Sequence, residues 1–220
     1  MTDAAEDVPE MVSISSATVL NIGTLNERTV GSMRIAAECA RSKGVPMILD
    51  PVGAGATGYR TETARMLMGL KPAVIKGNAG EIGVLSGLGG KVEGVDSRGS
   101  SDAAESVRRL AESCGCVVAA TGETDYVSDG RTVLRLSNGS SYQSRVSGTG
   151  CMLSSVVGCY VGACGPSIES VASAITVFNI AAEVAATRCS GPGTFRPALL
   201  DALDSMDSET VDSRARWEEL

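Results

Sequence analysis

The residues of this chain that are best suited to chemistry lie in one short stretch, residues 146–151, which reads Val-Ser-Gly-Thr-Gly-Cys. An apolar run with few charges follows over residues 151–164 and predicts a buried helix. The start of a helix offers free backbone N–H groups at the positive end of its dipole, and Gly148 and Gly150 let a ligand approach them closely. Such a loop suits a phosphate group.

Cys151 adds a candidate proton acceptor to this loop. It falls near the first turn of the predicted helix, where a thiolate is stabilised and can take up a proton. A phosphate site beside a proton acceptor favours phosphoryl transfer to a hydroxyl group. The alternative is a glycine-rich turn that leads into a core helix, with Cys151 a buried and inert thiol.

The composition excludes several classes of protein and site. A chain of 220 residues, 43% of them hydrophobic, is long enough for one domain with a substantial core. A formal charge of −7 without a basic cluster argues against nucleic acid as a partner, and the apolar run after Gly150 is too short to span a membrane. The chain has no histidine, so a histidine base and a histidine-ligated metal are excluded. Its seven irregularly spaced cysteines are typical of reduced thiols in a cytoplasmic protein.

Short apolar runs alternate with helical patterns along the chain. Buried strands are predicted over residues 17–24, 45–50, 72–77 and 116–122, with helices between them. The second half predicts a hairpin around Asp129-Gly130 and helices over residues 149–163, 167–188, 195–206 and 211–220, while residues 87–100 predict a surface loop. The alternation favours an α/β fold with a mainly parallel central sheet and helices on both faces.

The glycine-rich and polar stretches all follow predicted strands or precede the predicted core helix. They occupy residues 21–24, 50–58, 76–81, 121–125 and 147–151. Because ligands bind at the carboxyl ends of parallel strands, we expect these loops to form one site.

Taken together, these stretches resemble the hydroxyethylthiazole kinases, enzymes of thiamine salvage in the ribokinase-like superfamily. The resemblance is carried by Asn-Ile-Gly-Thr (21–24), Asp-Pro-Val-Gly-Ala-Gly-Ala-Thr (50–57), Lys-Gly-Asn-Ala-Gly-Glu (76–81), Thr-Gly-Glu-Thr-Asp (121–125) and Gly-Thr-Gly-Cys (148–151). They stand in the family's order and spacing over nearly the whole chain. The second stretch combined with the last is specific, whereas either alone is not.

The resemblance implies a fold and an activity. The fold is one ribokinase-like kinase domain over residues 1–220. The activity is phosphorylation of the primary hydroxyl of 4-methyl-5-(2-hydroxyethyl)thiazole with ATP and Mg²⁺. Thiazole kinases are typically trimers with sites between subunits, so the resemblance also implies a homo-oligomer, a homotrimer.

The resemblance further implies roles for individual residues. Cys151 is the base, at a position where most ribokinase-like kinases carry an aspartate. The anion hole for the transferring phosphoryl group is formed by Gly148, Thr149 and Gly150. The nucleotide contacts are Thr121, Asn78 and Lys76, the last at a position where the family more often has arginine. The contacts to the thiazole are Met1, Asn21, Gly23, Pro51, Val52 and Gly148. The metal residue is Glu81, which matches the superfamily's Asn-x-x-Glu signature associated with Mg²⁺ and its water shell. Asp50 is a second candidate, predicted to support the metal or a phosphate.

Both predicted metal ligands have an alternative explanation. Glu81 also fits a carboxylate that complements the dipole at the start of a helix. Asp50 also fits an Asx turn before Pro51. Asp125 is interpreted as a turn residue rather than a ligand.

The front of the chain departs from the family pattern. Met1 aligns with a thiazole-contacting methionine that in the family follows a first strand and helix. A unit of ~30–45 residues is therefore expected to be absent from this sequence, through a misplaced start or a fragment. Its absence predicts an exposed apolar edge of the sheet and a compromised alcohol pocket.

Two alternatives to a thiazole kinase stay open at this point. One is another ribokinase-like enzyme, either a hydroxymethylpyrimidine kinase or a nicotinamide-hydrate dehydratase, although the dehydratase is expected to carry an aspartate at position 151. The other is a truncated, non-catalytic chain that binds nucleotide.

Overall fold

The computed structural model describes residues 2–88 and 100–220, except for the side chains of residues 100–102. The strands are β1 (Thr18–Asn21), β2 (Met47–Asp50), β3 (Val74–Asn78), β4 (Val117–Thr121), β5 (Asp125–Ser128), β6 (Val133–Leu136) and β7 (Trp217–Glu219). The helices are α1 (Val8–Ser13), α2 (Glu27–Lys43), α3 (Gly58–Met68), α4 (Ala79–Leu85), α5 (Ser100–Cys114), α6 (Tyr142–Arg145), α7 (Thr149–Cys164), α8 (Ile168–Arg188), α9 (Pro192–Asp204) and α10 (Ser208–Arg214). The predicted α/β class is confirmed.

The strands form one sheet whose order, β1 to β7, follows the chain. Strands β1 to β4 pair in parallel, and the helices between them supply the crossovers that parallel neighbours require. Strands β4 to β7 pair antiparallel. The predicted parallel sheet therefore corresponds to strands β1 to β4, which the glycine-rich loops follow. Strands β5 to β7 extend the sheet as an antiparallel meander.

Each face of the sheet carries its own hydrophobic core. Successive side chains on a strand point to opposite faces, so Leu49 joins one cluster with α1 to α5 while Ile48 joins the other with α7 to α9. In the same way Ile75 and Val74 divide between the two clusters. Burial on both faces explains why these strands are continuously apolar in the sequence.

Helices α7 and α8 form the centre of the second core. Gly158 lets α7 pack directly on β1, because a Cβ atom there would lie 2.8 Å from Val19 Cγ2. Within the described ranges, α8 is the one helix long and apolar enough to cross a membrane by length and composition. Its best window has a mean hydropathy of 1.4 and is 67% buried in the protein, as expected for a core helix.

One helix start and one hairpin turn differ in detail from what the sequence predicts, which for the helix is a start at residues 61–63. Helix α3 begins at Gly58 because the Thr57 side chain accepts the Arg60 N–H and caps it. The hairpin of β5 and β6 is confirmed, but residues 129–132 connect its strands rather than the two residues Asp129 and Gly130.

The charged tail also differs, because only its first part is helical. After α10 the chain extends as β7 and pairs with β6, with Trp217 opposite Leu136. At the other edge, β1 pairs with β2 and is the end of the sheet among the described residues. The loop predicted over residues 87–100 lies mostly outside the described residues, as does Met1 with its predicted substrate contact.

Candidate active site

Three polar residues replace the apolar pattern at the carboxyl ends of β1, β2 and β3. Asn21 pairs in register with Asp50 across β1 and β2. Ile48 pairs with Val74, so Lys76, two residues further along β3, falls beside Asp50. Because these positions share the face of the sheet that α7 covers, their side chains form a row beneath the start of that helix.

Asp50 is the centre of this row. Its Oδ2 accepts hydrogen bonds from Asn21 Nδ2 at 2.7 Å and from Ser154 Oγ at 2.6 Å, and Lys76 Nζ lies 3.9 Å away. The side chain is only 2% exposed. Its Oδ1 accepts no hydrogen bond from the residues that the structure describes, so this oxygen is available to a cation. The Asp50 carboxylate therefore contacts side chains of other elements, which the Asx turn considered from the sequence does not explain.

For brevity, residues 146–151 are named the phosphate loop and residues 121–125 the nucleotide loop, after their predicted contacts.

Lys76 connects the row to the phosphate loop, which leads into α7. Lys76 Nζ donates to the Gly150 carbonyl at 3.0 Å, with the side chain only 3% exposed. The predicted nucleotide contact therefore has its ammonium group under the phosphate loop. The other two predicted nucleotide contacts, Asn78 and Thr121, pair in register at the ends of β3 and β4.

Cys151 is exposed at the start of α7, so the interpretation as a buried thiol is wrong. Asn21 Nδ2 lies 3.2 Å from the Cys151 sulfur and donates to it. The orientation of the Asn21 amide is fixed, because its Oδ1 accepts the Gly23 N–H at 2.8 Å. The same NH₂ group thus faces both the sulfur and the Asp50 carboxylate.

The phosphate loop presents backbone N–H groups rather than side chains. Gly148 caps α7 with φ of 91°, a left-handed conformation that glycine adopts without strain. The Thr149 side chain is buried and its Oγ1 donates to the Gln143 carbonyl at 2.7 Å, so the hydroxyl is directed away from the site. The first N–H groups of a helix have no partner within it, and those of residues 149–151 can bind an anion.

Glu81 joins two loops of the site. Its Oε1 accepts the Gly53 N–H at 2.7 Å and its Oε2 accepts the Asn78 N–H at 2.8 Å, while the Asn78 side chain caps α4 in return. Burial raises the pKa of Glu81, and these two backbone hydrogen bonds oppose that shift. The alternative role at a helix start is confirmed, and the metal role stays a prediction.

The carboxylates fit Mg²⁺ better than a metal that needs a full protein cage. Among the residues that the structure describes, no three His, Cys, Asp or Glu side chains group to hold a metal. Mg²⁺ usually keeps its waters and binds one or two carboxylates together with phosphate oxygens. The free Oδ1 of Asp50 fits direct contact, whereas Glu81, whose two oxygens are engaged, fits contact through water.

Arg60 organises the site and was missed from the sequence. Its guanidinium donates to the carbonyls of Ile22 at 2.8 Å, Val52 at 2.9 Å and Gly23 at 3.0 Å. It therefore joins the loops after β1 and β2, which hold the predicted thiazole contacts Gly23, Val52 and the buried Pro51. No local signal marked Arg60, since it lies in the first turn of α3 among other polar residues.

Comparison with known proteins identifies the family. The model of the Hydroxyethylthiazole kinase family matches residues 1–209. The chain belongs to this family. Hydroxyethylthiazole kinases phosphorylate an alcohol, as predicted, and the match supports this activity over the pyrimidine kinase and dehydratase alternatives.

Individual hydroxyethylthiazole kinases are similar over almost the whole chain. That of Methanocella arvoryzae is 49% identical over 96% of this chain and 80% of the relative. That of Methanoculleus marisnigri is 47% identical over 100% of this chain and 79% of the relative. The solved hydroxyethylthiazole kinase protein from Pyrococcus horikoshii OT3 has a TM-score of 0.93 and 37% identity, over 100% of this chain and 83% of that one. This chain thus spans about four-fifths of each.

The fold is shared more widely. The pyridoxal kinase from Staphylococcus aureus in complex with AMP-PCP and pyridoxal has a TM-score of 0.58 and 21% identity, over 78% of this chain and 64% of that chain. The likeness confirms the ribokinase-like fold that the sequence predicted.

The chain also contains a buried carboxylate, Asp125, at the end of the nucleotide loop. It is 4% exposed and begins β5, so it is more than the turn residue expected from the sequence. Its Oδ1 accepts the Gly122 N–H at 2.9 Å and its Oδ2 accepts Asn179 Nδ2 at 2.6 Å. Burial raises the pKa of Asp125 to about 6 in spite of these hydrogen bonds.

The raised pKa of Asp125 predicts that stability depends on pH. A carboxyl that binds its proton more tightly in the folded state contributes fully below its unfolded pKa, and that contribution is lost as pH rises through the folded value of about 6. Unfolding free energies of the native chain and of Asp125→Asn are measured with urea at about pH 4 and about pH 7. We expect the native chain to gain about 2 kcal/mol relative to the variant at the lower pH.

The Asp125→Asn variant is the reference for the native chain in this experiment. Other carboxyl groups, including Glu81, titrate in both proteins, so their effects cancel in the difference. A difference in unfolding free energy that stays constant over this range would show that Asp125 ionises without cost.

Proposed function

We propose that this chain transfers the terminal phosphoryl group of ATP to the primary hydroxyl of 4-methyl-5-(2-hydroxyethyl)thiazole, with Mg²⁺, as one kinase domain. The observation that carries the proposal is the position of Cys151. Its exposed sulfur stands at the start of α7, accepts a hydrogen bond from Asn21 and adjoins the free N–H groups of the phosphate loop. A proton acceptor and an anion site therefore meet at one point.

The phosphate loop binds the group that is transferred. Charge on a transferring phosphoryl group spreads over its oxygens, and fixed N–H donors stabilise that charge without rearranging. Thr149 and Gly150 of the predicted anion hole supply such donors together with Cys151, and Gly148 is the N-cap residue before them. Lys76 adds a buried positive charge directly below, where its hydrogen bond to the Gly150 carbonyl also fixes the start of the helix.

The chemical step needs one proton acceptor. The oxygen of the substrate hydroxyl forms a bond to the terminal phosphorus of ATP, the bond from that phosphorus to the bridging oxygen breaks, and ADP leaves. The hydroxyl proton passes to the Cys151 thiolate, which Asn21 orients. The products are the phosphate monoester and ADP.

Two carboxylates would hold the metal. Asp50 would bind Mg²⁺ through its free Oδ1, and Glu81 would act through water, because both of its oxygens accept backbone N–H groups. When bound, Mg²⁺ neutralises charge on the phosphate oxygens. Asn78 and Thr121 lie beside these residues at the ends of β3 and β4, and we assign them to the nucleotide. AMP-PCP, an analogue of ATP, is bound in the structurally similar pyridoxal kinase.

The predicted thiazole contacts include Asn21, which contacts the Cys151 sulfur, and residues at the neighbouring strand ends. Asn21 and Gly23 follow β1, and Pro51 and Val52 follow β2, so all four lie at neighbouring strand ends. Arg60 fixes both loops through three carbonyl groups. We assign these positions and Gly148 to the alcohol.

The test is a direct assay of the reaction. The chain is incubated with ATP, Mg²⁺ and hydroxyethylthiazole, and the phosphate monoester is quantified by mass spectrometry, with hydroxymethylpyrimidine and pyridoxal as competing alcohols. We expect phosphorylation of the thiazole alone. Phosphorylation of a competitor in its place would overturn the substrate, and nucleotide binding without any phosphorylation would favour the non-catalytic alternative.

Glu81→Gln is predicted to raise the Mg²⁺ concentration that gives half-maximal activity. The amide carries one oxygen where the carboxylate has two, so it loses one backbone hydrogen bond and the charge that faces the metal. We expect an increase of about tenfold in a Mg²⁺ titration at saturating ATP. Glu62→Gln, at an exposed position on α3, is the matched control. Identical titrations for both variants would remove Glu81 from the metal site.

The family resemblance and the composition also suggest an assembly and a location. We propose a homotrimer in the cytoplasm. The charge of −7 argues against nucleic acid as a partner, and no membrane partner is proposed. The seven cysteines are free among the described residues, which fits a reducing compartment. Light scattering coupled to size-exclusion chromatography measures the molar mass and therefore the number of subunits.

A further inference from the structure

A series of hydrogen-bonded side chains, buried except for half-buried Gln143, joins the nucleotide loop to the phosphate loop through α8. Asp125 receives hydrogen bonds from Gly122 on one side and from Asn179 on the other. Asn179, which is 3% exposed, accepts a hydrogen bond through its Oδ1 from Gln143 Nε2 at 2.9 Å. The Gln143 carbonyl in turn accepts Thr149 Oγ1 at 2.7 Å. No step of the proposed mechanism uses Asp125 or Asn179.

The direction of every hydrogen bond in this series is fixed by its two ends. An ionised Asp125 only accepts, so Asn179 must present its NH₂ group to it and its carbonyl oxygen to Gln143. At the other end the Ser140 N–H only donates, to Gln143 Oε1 at 2.8 Å. Neither amide can turn without placing two donors or two acceptors face to face.

In the proposed function the two joined loops contact opposite ends of the ATP molecule. In the proposed function Thr121 contacts the nucleotide, and the N–H groups of residues 149–151 contact its terminal phosphate. An error of about 1 Å between such groups can reduce a rate on the order of a hundredfold. A rigid connection between the loops therefore bears on nucleotide affinity and on the rate.

We propose that Asn179 is a positioning residue that fixes the distance between the nucleotide loop and the phosphate loop. It touches neither the substrate nor the phosphate. It acts through Asp125 on one loop and through Gln143 on the other. The inference rests on the proposed function, because that function assigns the nucleotide to these loops.

An exchange of the two side chains tests the proposal. Asp125→Asn leaves one oxygen for two donors, so its amide NH₂ faces either the NH₂ of Asn179 or the N–H of Gly122, and one link of the connection is lost. Asn179→Asp places two carboxylates together. The double variant Asp125→Asn with Asn179→Asp restores every hydrogen bond. Its amide at position 125 would accept from Gly122 and donate to the carboxylate at position 179, and that carboxylate would also accept from Gln143. The three variants differ from the native chain only in amide and carboxylate groups.

The readouts are the Kd for AMP-PCP, the KM for ATP, the KM for the alcohol and kcat, all at about pH 8, where Asp125 is ionised. We expect each single variant to raise the Kd and the KM for ATP by about tenfold and to lower kcat, with the KM for the alcohol within about threefold. The double variant is expected to return all values to within about threefold of the native protein. Circular dichroism establishes that each variant is folded.

Folded single variants with native Kd and kcat would overturn the proposal, and so would a folded double variant that shows no recovery. If the buried variants do not fold, half-buried Gln143 gives the same test, since Gln143→Met breaks the link and leaves Asp125 and Asn179 paired. Ser144→Ala, at the exposed neighbouring position, is its control. If the native chain binds AMP-PCP but phosphorylates no alcohol, the proposed function fails while the Kd series still decides the role of Asn179.

Discussion

Replacing Cys151 by alanine is expected to lower kcat for the thiazole alcohol by about 10²–10³-fold, with the KM values within about threefold. The variant removes the only proton acceptor that the proposed step uses, and a positioned base contributes on the order of 10²–10⁴-fold. Cys151→Asp is expected to retain or raise activity, because a carboxylate at this position is the base that most ribokinase-like kinases carry. Initial rates at saturating ATP measure both effects.

Cys159→Ala is the matched control for this experiment. It lies on α7 like Cys151 and is also exposed, so it reports the effect of losing a thiol from this helix. Native activity in Cys151→Ala would show that the hydroxyl proton leaves by another route. Loss of activity in a folded Cys151→Asp would show that the sulfur does more than accept a proton.

The second large effect is expected for Asp50→Asn, which should lower activity at least about a hundredfold and raise the Mg²⁺ requirement. It should also lower the free energy of unfolding by about 3 kcal/mol, because buried Lys76 keeps its positive charge and loses the carboxylate 3.9 Å away. The Mg²⁺ dependence of the rate and urea denaturation measure the two effects separately.

Ser154→Ala separates the metal role of Asp50 from its packing. That variant removes one of the two hydrogen bonds to Asp50 Oδ2 and leaves the charge and the free Oδ1 in place. We expect it to cost about 1 kcal/mol of stability without a change in the Mg²⁺ requirement. If Asp50→Asn and Ser154→Ala shift the Mg²⁺ titration equally, Asp50 is a structural residue.

Both predictions depend on residues that could be found in the sequence. The apolar runs that end at Asn21, Asp50 and Thr121 predicted strands, and the glycines after them marked loops where ligands bind. Local patterns were sufficient here, because burial on both faces forces a continuous apolar run and the chain must turn where it ends. The sequence also placed Cys151 at a helix start, which the structure confirms.

The roles of individual residues within the site were harder to predict from the sequence. The sequence suggested Lys76 as a nucleotide contact, but only the register of β2 and β3 shows that it lies beside Asp50 and under Gly150. Likewise the sequence left Glu81 as a metal ligand or a carboxylate that complements a helix dipole, and its reciprocal hydrogen bonds with Asn78 show that it belongs to the capping box of α4. Side chains on neighbouring strands meet through pairing, which no pattern within one strand encodes.

The sequence by itself thus determined the alternating strands and helices, the candidate ligand-binding loops and the candidate base Cys151, since these follow from periodicity and from nearby glycines in the chain. Only the tertiary structure decided which polar groups meet. Arg60 reaches carbonyl groups 37 and 38 residues away, and Asn179 reaches Asp125 across 54 residues. The tail became β7 because β6 offered a free edge to a segment without an apolar pattern. Such contacts depend on the packing of whole elements, so a local sequence pattern does not contain them.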